Sequence, residues 1–152
     1  MGQICYETPG GQTRVTARVP SRVTTLVKAR AAGRCEYCHA PQIVIGQTFH
    51  IDHILPYSLD GQPVAENLCL ACSHCNLAKG DRVKALDPLS RKQVPLYNPR
   101  TNIWEDHFRW SPNWTRLLGR TAIGRATVVA LDMNAKILQM ARPFWRVAGL
   151  LP

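Results

Sequence analysis

The spacing of apolar positions changes from segment to segment along the chain, which predicts short elements of mixed type. After Ser21, apolar side chains recur at helical intervals until Gly33, so we expect a helix capped by Ser21 and ended by Gly33. The apolar members of this helix are Val23, Leu26, Val27 and Ala31. Residues 1–19, with the turn sequence Pro9-Gly10-Gly11, are interpreted as an irregular or short-stranded arm.

The central part of the chain is rich in β-branched residues and predicts short strands. Strands are expected at 43–45, 48–54 and 67–70, and a turn at Leu59-Asp60-Gly61 separates the last two. The segment that starts at Asn76 predicts a helix continuing to about residue 86, before Pro88.

The last third of the chain alternates between strand and helix patterns. Its first residues, 88–100, contain three prolines and predict a connector. Residues 103–110 predict a strand and 115–118 its hairpin partner. Two helices are expected to follow, one over 122–133 that Thr121 caps and one over 135–148.

This order of elements predicts an α+β fold in a single domain, 1–152. We expect three parts: an N-terminal arm and helix in 1–34, a compact core in 35–86 and an extension in 88–152. The extension is basic and contains all four tryptophans, Trp104, Trp110, Trp114 and Trp145. Two interpretations are open for them: they form a second small core, or they stack on nucleic-acid bases.

The charge of the chain is strongly positive and unevenly distributed. The 152 residues carry a formal net charge of +9, which favours a polyanionic partner such as nucleic acid. Lys and Arg are absent from 35–76, which has a formal charge of −4, while residues 1–34 carry +5 and residues 77–152 carry +8. A segment without basic side chains suits a cation site, and its basic flanks suit phosphates.

The cysteines point to zinc. Cys35-x2-Cys38 and Cys72-x2-Cys75 are two pairs with the spacing of a tetrahedral Zn²⁺ site, and four protein ligands predict a structural ion. Cys69 also forms a CxxC with Cys72, but it alternates with leucines, so we favour Cys72 and Cys75 as ligands.

Other residues near these pairs leave alternatives open. Beside the ligands, His39 and His74 are either exposed loop histidines or substitute ligands, and the role of Cys5 is open. The first residues lack the apolar core of a secretory signal, so cysteines in a reducing cytoplasm are expected.

Between and after the cysteine pairs lie three further motifs in a fixed order. They are His50-Ile51-Asp52-His53-Ile54-Leu55-Pro56, Glu66-Asn67-Leu68 and Cys75-Asn76-Leu77-Ala78-Lys79-Gly80-Asp81. In residues 35–81 the chain resembles the HNH endonuclease family, whose core is a ββα-metal (His-Me) finger, here held by four cysteines. The tail is more weakly similar to small stand-alone bacterial HNH proteins. The tail motifs are Asn98-Pro99-Arg100, Trp104-x2-His107-Phe108-Arg109-Trp110 and Gly124-Arg125-Ala126-Thr127.

The resemblance implies a role for each motif residue. His53 is expected to act as the general base, and Asp52 and Asn76 to hold a catalytic Mg²⁺ or Mn²⁺, for which their oxygen atoms are suitable ligands. Asn67 is expected to hold the loop and orient His53. Adjacent strand residues point to opposite faces, so Asp52 and His53 can cooperate only if a bulge or turn re-aims one of them.

His50 and Lys79 are less constrained by the pattern. His50 shares a strand face with Asp52 and is either a third metal ligand, a phosphate contact or a half-buried structural residue. Lys79 is either a phosphate contact that stabilises the transition state or a solvated helix lysine. The nucleic-acid contacts that we predict are Lys79, Arg82, Lys84, Arg100 and Arg109.

These observations predict a metal-dependent endonuclease acting on double-stranded DNA in the cytoplasm. Two alternatives remain at this point: the same chemistry on RNA, and a non-catalytic zinc-ribbon module that binds nucleic acid. The second would not need the Asp52, His53 and Asn76 set. The oligomeric state and the sequence specificity are left open by the pattern.

Overall fold

The N-terminal helix leads into the core of the protein. The structure is a computed structural model and describes residues 18–151, so Cys5 and nearly all of the predicted arm lie outside the described residues. Helix α1 spans Ser21–Ala31 and ends where Ala32 and Gly33 both take positive φ, as expected. The predicted capping role of Ser21 is wrong, because Pro20 occupies the capping position with extended ψ and Ser21 is already helical.

A β-hairpin followed by a helix forms the centre of the molecule. Strand β1 (His50–His53) pairs antiparallel with β2 (Leu68–Ala71), in a register that places Asp52 opposite Cys69. Helix α3 (Ser73–Lys79) begins directly after β2 and packs on both strands. This arrangement confirms the predicted α+β class and is consistent with a small ββα-metal fold.

Two elements around this centre differ from the sequence expectation. Residues 43–45 belong to a short helix, α2 (Gln42–Ile45), because Ile43 is 81% exposed and has no strand partner against which to bury its branched side chain. Helix α3 ends at Lys79 and does not reach residue 86. The cause is Gly80, whose φ of 51° and ψ of −133° are strongly disfavoured for a side-chain-bearing residue.

The chain beyond α3 forms a second hairpin. Strand β3 (Lys84–Leu86) pairs antiparallel with β4 (Gln93–Pro95), so the expected connector 88–100 contains a strand. The side chain of Asp87 organises the turn between them, accepting hydrogen bonds from the backbone of Leu89 and Ser90.

The tail begins with a helical turn where a strand was expected. Helix α4 (Trp104–His107) precedes β5 (Phe108–Trp110), which pairs with β6 (Leu117–Gly119) as the predicted hairpin. The expected strand over 103–110 therefore forms only at its end. Trp104 is buried against the loop of the first cysteine pair, residues 35–38, which we call the first zinc loop. Its indole N–H donates to Tyr37 O in this loop, and this burial outweighs the strand pattern.

Two helices complete the tail. Helix α5 (Ala122–Ala130) is capped by Thr121 as predicted, and α6 (Lys136–Val147) follows. Helix α5 ends at Ala130 and does not reach the predicted residue 133. Asp132, two residues after its end, takes a positive φ. Gly124 permits the close packing of α5, since a Cβ there would lie 2.0 Å from His107 O.

One hydrophobic core includes side chains from both the hairpin centre and the tail. The fully buried members include Val27, Leu68, Phe108, Leu117 and Leu131. Trp104 and Trp145 lie in this core, and Trp110 and Trp114 pack against it. All four tryptophans are therefore packing residues, but they belong to this shared core, and the expected second small core is wrong. Among the helices of the described residues, none has the length and apolar character needed to cross a bilayer.

Candidate functional site

Four cysteines form a compact buried cluster. The Sγ atoms of Cys35, Cys38, Cys72 and Cys75 all lie within 4.8 Å of one another, and Cys38 Sγ is 3.8 Å from Cys72 Sγ. A tetrahedral Zn²⁺ with Zn–S bonds of about 2.3 Å requires sulfurs about 3.8 Å apart. The cluster therefore fits a structural zinc ion.

The local structure around the cluster supports this assignment. Cys72 caps α3, and its Sγ accepts a hydrogen bond from Cys75 N. Hydrogen bonds from Cys35, the larger effect, and from Cys38 hold the pKa of Cys72 well below its usual range, which favours a thiolate.

The three residues that the sequence left as alternative zinc ligands, Cys69, His39 and His74, make other contacts. Cys69 is buried on β2 with its Sγ 3.8 Å from Asp52 Oδ2, and burial raises the pKa of its thiol, so it remains a neutral donor. His39 stacks on Trp104 with ring centroids 4.2 Å apart. His74 contacts the backbone oxygen of Asp132 at 2.8 Å.

One face of strand β1 lies against helix α3. His50 Nε2 is 3.1 Å from Ser73 Oγ, and Asp52 contacts Lys79 further along the same two elements. Asn76 is three residues from both Ser73 and Lys79, so it occupies the same helix face between these contacts. His50 and Asp52 thus both contact α3, and Asn76 lies on the part of that helix between their two partners.

Asp52 is buried and has several donors. It is 8% exposed, and its Oδ2 accepts a hydrogen bond of 2.8 Å from the Tyr37 hydroxyl. Burial raises the pKa of Tyr37 well above its usual value, so that hydroxyl stays protonated. Sequence reasoning missed Tyr37, although its position between two ligand cysteines means that the zinc loop carries it into the core.

Lys79 supplies a positive charge to Asp52. Its ammonium lies 3.2 Å from Oδ2 and 3.3 Å from Oδ1 of that carboxylate, and it donates to His53 O at 2.8 Å. The side chain is 2% exposed, so it is neither a solvated lysine nor directed to a phosphate at the surface. The ammonium occupies a position that a metal cation could take, because a carboxylate oxygen is a ligand that Mg²⁺ and Mn²⁺ prefer.

His53 occupies the opposite side of β1 from Asp52. The β1–β2 register continues through His53 without a bulge, and the His53 ring packs against Tyr57 with centroids 4.2 Å apart. Within residues 18–151, His53 Nε2 is buried and has no hydrogen-bond partner. Burial lowers the pKa of His53, an effect that Asp52 opposes and Lys79 reinforces, so the imidazole is neutral near pH 7.

Asn67 holds the loop that follows His53. Its side chain accepts from Leu55 N at 2.9 Å and donates to Leu55 O at 2.9 Å and to Gln62 O at 3.0 Å. Gly61 allows this close packing, since a Cβ there would lie 1.7 Å from Leu55 O. These bonds define the path of the chain immediately after His53.

The predicted nucleic-acid contacts have different surroundings. Lys84 and Arg109 are exposed on β3 and β5. Arg82 is also exposed, but its guanidinium donates to Ala130 O at 2.9 Å and joins α3 to α5. Arg100 is half-buried in an ion pair with Glu36. The exposed pair, Lys84 and Arg109, is therefore the better placed for phosphate contacts.

A cavity of about 310 Å³ lies beside Lys79 and extends to the tail. Its wall includes Tyr37, Lys79 and Arg82 from the hairpin centre, and Tyr97 and Asn98 from the segment after β4. It is thus lined by side chains from both parts of the chain.

The comparisons with known proteins agree with this geometry. The family model described as HNH endonuclease matches residues 35–82, which contain the four cysteines, β1, β2 and α3. This match supports a nuclease or a related nucleic-acid function for the segment. A search of curated proteins and a search of solved structures each found no match.

Proposed function

We propose that the protein is a metal-dependent endonuclease that hydrolyses DNA phosphodiester bonds with His53 as general base. The observation that carries the proposal is the contrast between two adjacent residues of β1. Asp52 faces α3 and pairs with the ammonium of Lys79, whereas the imidazole of His53 is neutral and its Nε2 has no hydrogen-bond partner among residues 18–151. One would provide an anionic ligand and the other a base, which are the two functions that hydrolysis requires. Since β1 has no bulge between them, we assign the re-aiming of His53 to the bend of the chain at Ile54 and Leu55, directly after the strand.

His53 would remove the proton from the attacking water. A neutral imidazole can accept that proton, and the lowered pKa keeps the ring neutral at physiological pH. The Tyr57 ring limits the orientations of the imidazole, and the Asn67 hydrogen bonds restrain the loop that follows it. Asn67 is therefore a positioning residue.

Asp52 and Asn76 would hold the divalent cation, with His50 as a third ligand. When bound, Mg²⁺ or Mn²⁺ stabilises the negative charge that develops on the phosphate and the leaving oxygen. Tyr37 and Cys69 both donate to the Asp52 carboxylate and hold it in place.

Double-stranded DNA is the proposed substrate. The acidic cation-binding segment 35–76 lies between two basic segments, which suits a phosphate backbone held on both sides of the cleavage centre. Lys84 and Arg109 are the exposed cations that we assign to this contact.

The test is an incubation of the zinc-loaded protein with plasmid DNA or structured RNA, with and without Mg²⁺ or Mn²⁺. Metal-dependent nicking or linearisation of the plasmid supports the proposal. Cleavage of RNA alone would replace the substrate, and DNA binding without any cleavage would replace the enzyme with a binding module. The Asp52→Asn variant separates metal-dependent cutting from a contaminating nuclease.

A further inference from the structure

Lys79 is buried to an extent that is rare for a lysine. Its ammonium is within 3.3 Å of both oxygens of Asp52 and donates to the backbone oxygens of His53 and Gly80. A buried ammonium is costly unless an opposite charge compensates it. The pair therefore neutralises two charges that would each be unfavourable alone.

The other partners of Asp52 are neutral. Tyr37 and Cys69 donate to Oδ2 through a hydroxyl and a thiol, and neither changes the charge of the carboxylate. Among residues 18–151, Lys79 is the cation within salt-bridge distance of Asp52. A second cation that binds this carboxylate would therefore lie close to the ammonium of Lys79 and be repelled by it.

We propose that Lys79 is a built-in competitor of the divalent cation: it pairs with Asp52 in the metal-free protein and leaves when the cation binds. This inference rests on the proposed role of Asp52 as a metal ligand. A divalent ion and an ammonium on one carboxylate would repel each other strongly in a buried site. Asp52 consequently exchanges one cation for another and does not remain an unpaired buried charge.

The structure provides space for the displaced side chain. Lys79 forms part of the wall of the cavity of about 310 Å³ beside the site. Rotation of the flexible side chain towards this cavity moves the ammonium away from Asp52 without requiring helix α3 to shift. In that position, the positive charges of Lys79 and Arg82 would both face the same cavity.

The experiment measures Mn²⁺ binding by calorimetry, and thermal unfolding with and without Mn²⁺, on the zinc-loaded protein without DNA. Lys79→Met removes the competing charge, and Lys92→Met is the matched control, since it removes the same charge from an exposed position. Lys79→Gln is the second variant if the methionine variant does not fold. Asp52→Asn removes the proposed ligand.

We expect the Lys79 variant to bind Mn²⁺ about tenfold more tightly or more, because the ion no longer has to break the ion pair between Asp52 and Lys79. Its metal-free form should unfold at a lower temperature than wild type, and Mn²⁺ should raise that temperature by more than in wild type. Lys92→Met should bind Mn²⁺ as wild type does.

Two other results overturn the inference in distinguishable ways. Unchanged or weaker Mn²⁺ binding by the Lys79 variants, with wild-type DNA cleavage intact, rejects the competition and leaves the proposed function standing. If neither wild type nor any variant binds Mn²⁺, and wild type does not cleave DNA, both the competition and the proposed function are wrong.

Discussion

The hydroxyl of Tyr37 donates a 2.8 Å hydrogen bond to Asp52 Oδ2 and so joins the first zinc loop to the strand of the candidate site. Tyr37 lies between Cys35 and Cys38, and the backbone of this loop is further tied to the tail by Trp104. Binding of zinc to the four cysteines would therefore also fix the position of the Asp52 carboxylate through Tyr37.

Tyr37→Phe should weaken both the fold and the metal site, because a buried carboxylate loses one donor. We expect the free energy of unfolding to fall by about 1–2 kcal/mol, and cleavage to require a higher Mg²⁺ concentration. Denaturant unfolding and a Mg²⁺ titration of cleavage measure the two effects. Tyr97→Phe is the control, since that hydroxyl makes only a 3.5 Å contact with Asn102 O. Equal Mg²⁺ requirements in the two variants would exclude a positioning role for Tyr37.

His53→Ala should abolish cleavage and leave DNA affinity and zinc content unchanged. Loss of a general base typically costs about 10²- to 10⁴-fold in rate. Single-turnover cleavage, a binding titration and metal analysis provide the three measurements. His107→Gln serves as the control, because His107 lies in the tail and contacts Thr121. If His53→Ala cuts as fast as wild type, another residue is the base.

Replacement of a zinc ligand should unfold the centre of the molecule. We expect one zinc ion per chain in wild type and its loss in Cys38→Ser and Cys75→Ser, with a large fall in melting temperature, because metal binding contributes directly to folding. Cys69→Ala is the informative comparison: it removes a buried thiol outside the cluster and should keep its zinc. Zinc loss in the Cys69 variant would contradict the ligand set.

Local patterns predicted the parts of the fold that depend on local chemistry. The two CxxC pairs, the strands of the central hairpin and the cap at Thr121 all follow from residue types at short spacing. The helix predicted from Asn76 extends past Gly80 and is wrong there, although this glycine gives the same helix-ending signal as Gly33, which predicts the end of α1 correctly. The short helix α2 was missed because β-propensity has no effect where no partner strand is present.

The candidate site was predictable in its residue types and not in its contacts. Asp52, His53 and Asn76 stand out through the motifs that contain them. The partners of Asp52 lie 15 and 27 residues away, at Tyr37 and Lys79, and only the folded chain brings them together. For the same reason, the sequence suggested a solvated or phosphate-binding Lys79, whereas the fold buries it against a carboxylate.

The pair of Asp87 and Arg125 should make stability depend on pH below about 4. Two 2.8 Å hydrogen bonds from Arg125 hold the pKa of Asp87 well below its usual range, and backbone N–H groups add to this effect. When the pKa of a carboxyl is lower in the folded protein than in the unfolded one, the carboxylate stabilises the fold. This stabilisation is complete above the pKa in the unfolded protein, about 3.9, and is lost as the pH falls from there through the pKa in the folded protein.

Asp87→Asn should therefore be less stable than wild type at pH 7, and the difference should shrink below about pH 4. Thermal unfolding of both proteins between pH 7 and pH 3 measures this difference. Loss of zinc in acid affects both proteins equally and therefore cancels in the comparison. Asp132→Asn is the control, since it removes a carboxylate from an exposed position away from the Arg125 ion pair. A constant difference for Asp87→Asn would mean that the ion pair does not contribute.

Arg142 is a buried cation of the last helix, and its charge interacts with the cysteine cluster. It is 1% exposed and donates to Thr115 O, Asn134 Oδ1 and Met133 O, with its guanidinium 5.4 Å from the centre of the Trp110 ring. Burial lowers the pKa of Arg142, and the thiolates of Cys38, Cys75 and Cys72 oppose this effect. Zn²⁺ with four thiolates carries a net negative charge, so a buried guanidinium nearby is favourable.

Arg142→Met should cost about 3 kcal/mol in the free energy of unfolding, because three buried acceptors lose their donor at once. It should also weaken zinc retention against a chelator, since the thiolate cluster loses a nearby positive charge. Arg146→Met is the matched control: Arg146 is exposed and lies 4.9 Å over Trp114, so its loss should cost under about 1 kcal/mol and leave zinc retention unchanged. If both variants release zinc at the wild-type rate, Arg142 stabilises the tail alone and the cluster does not depend on its charge.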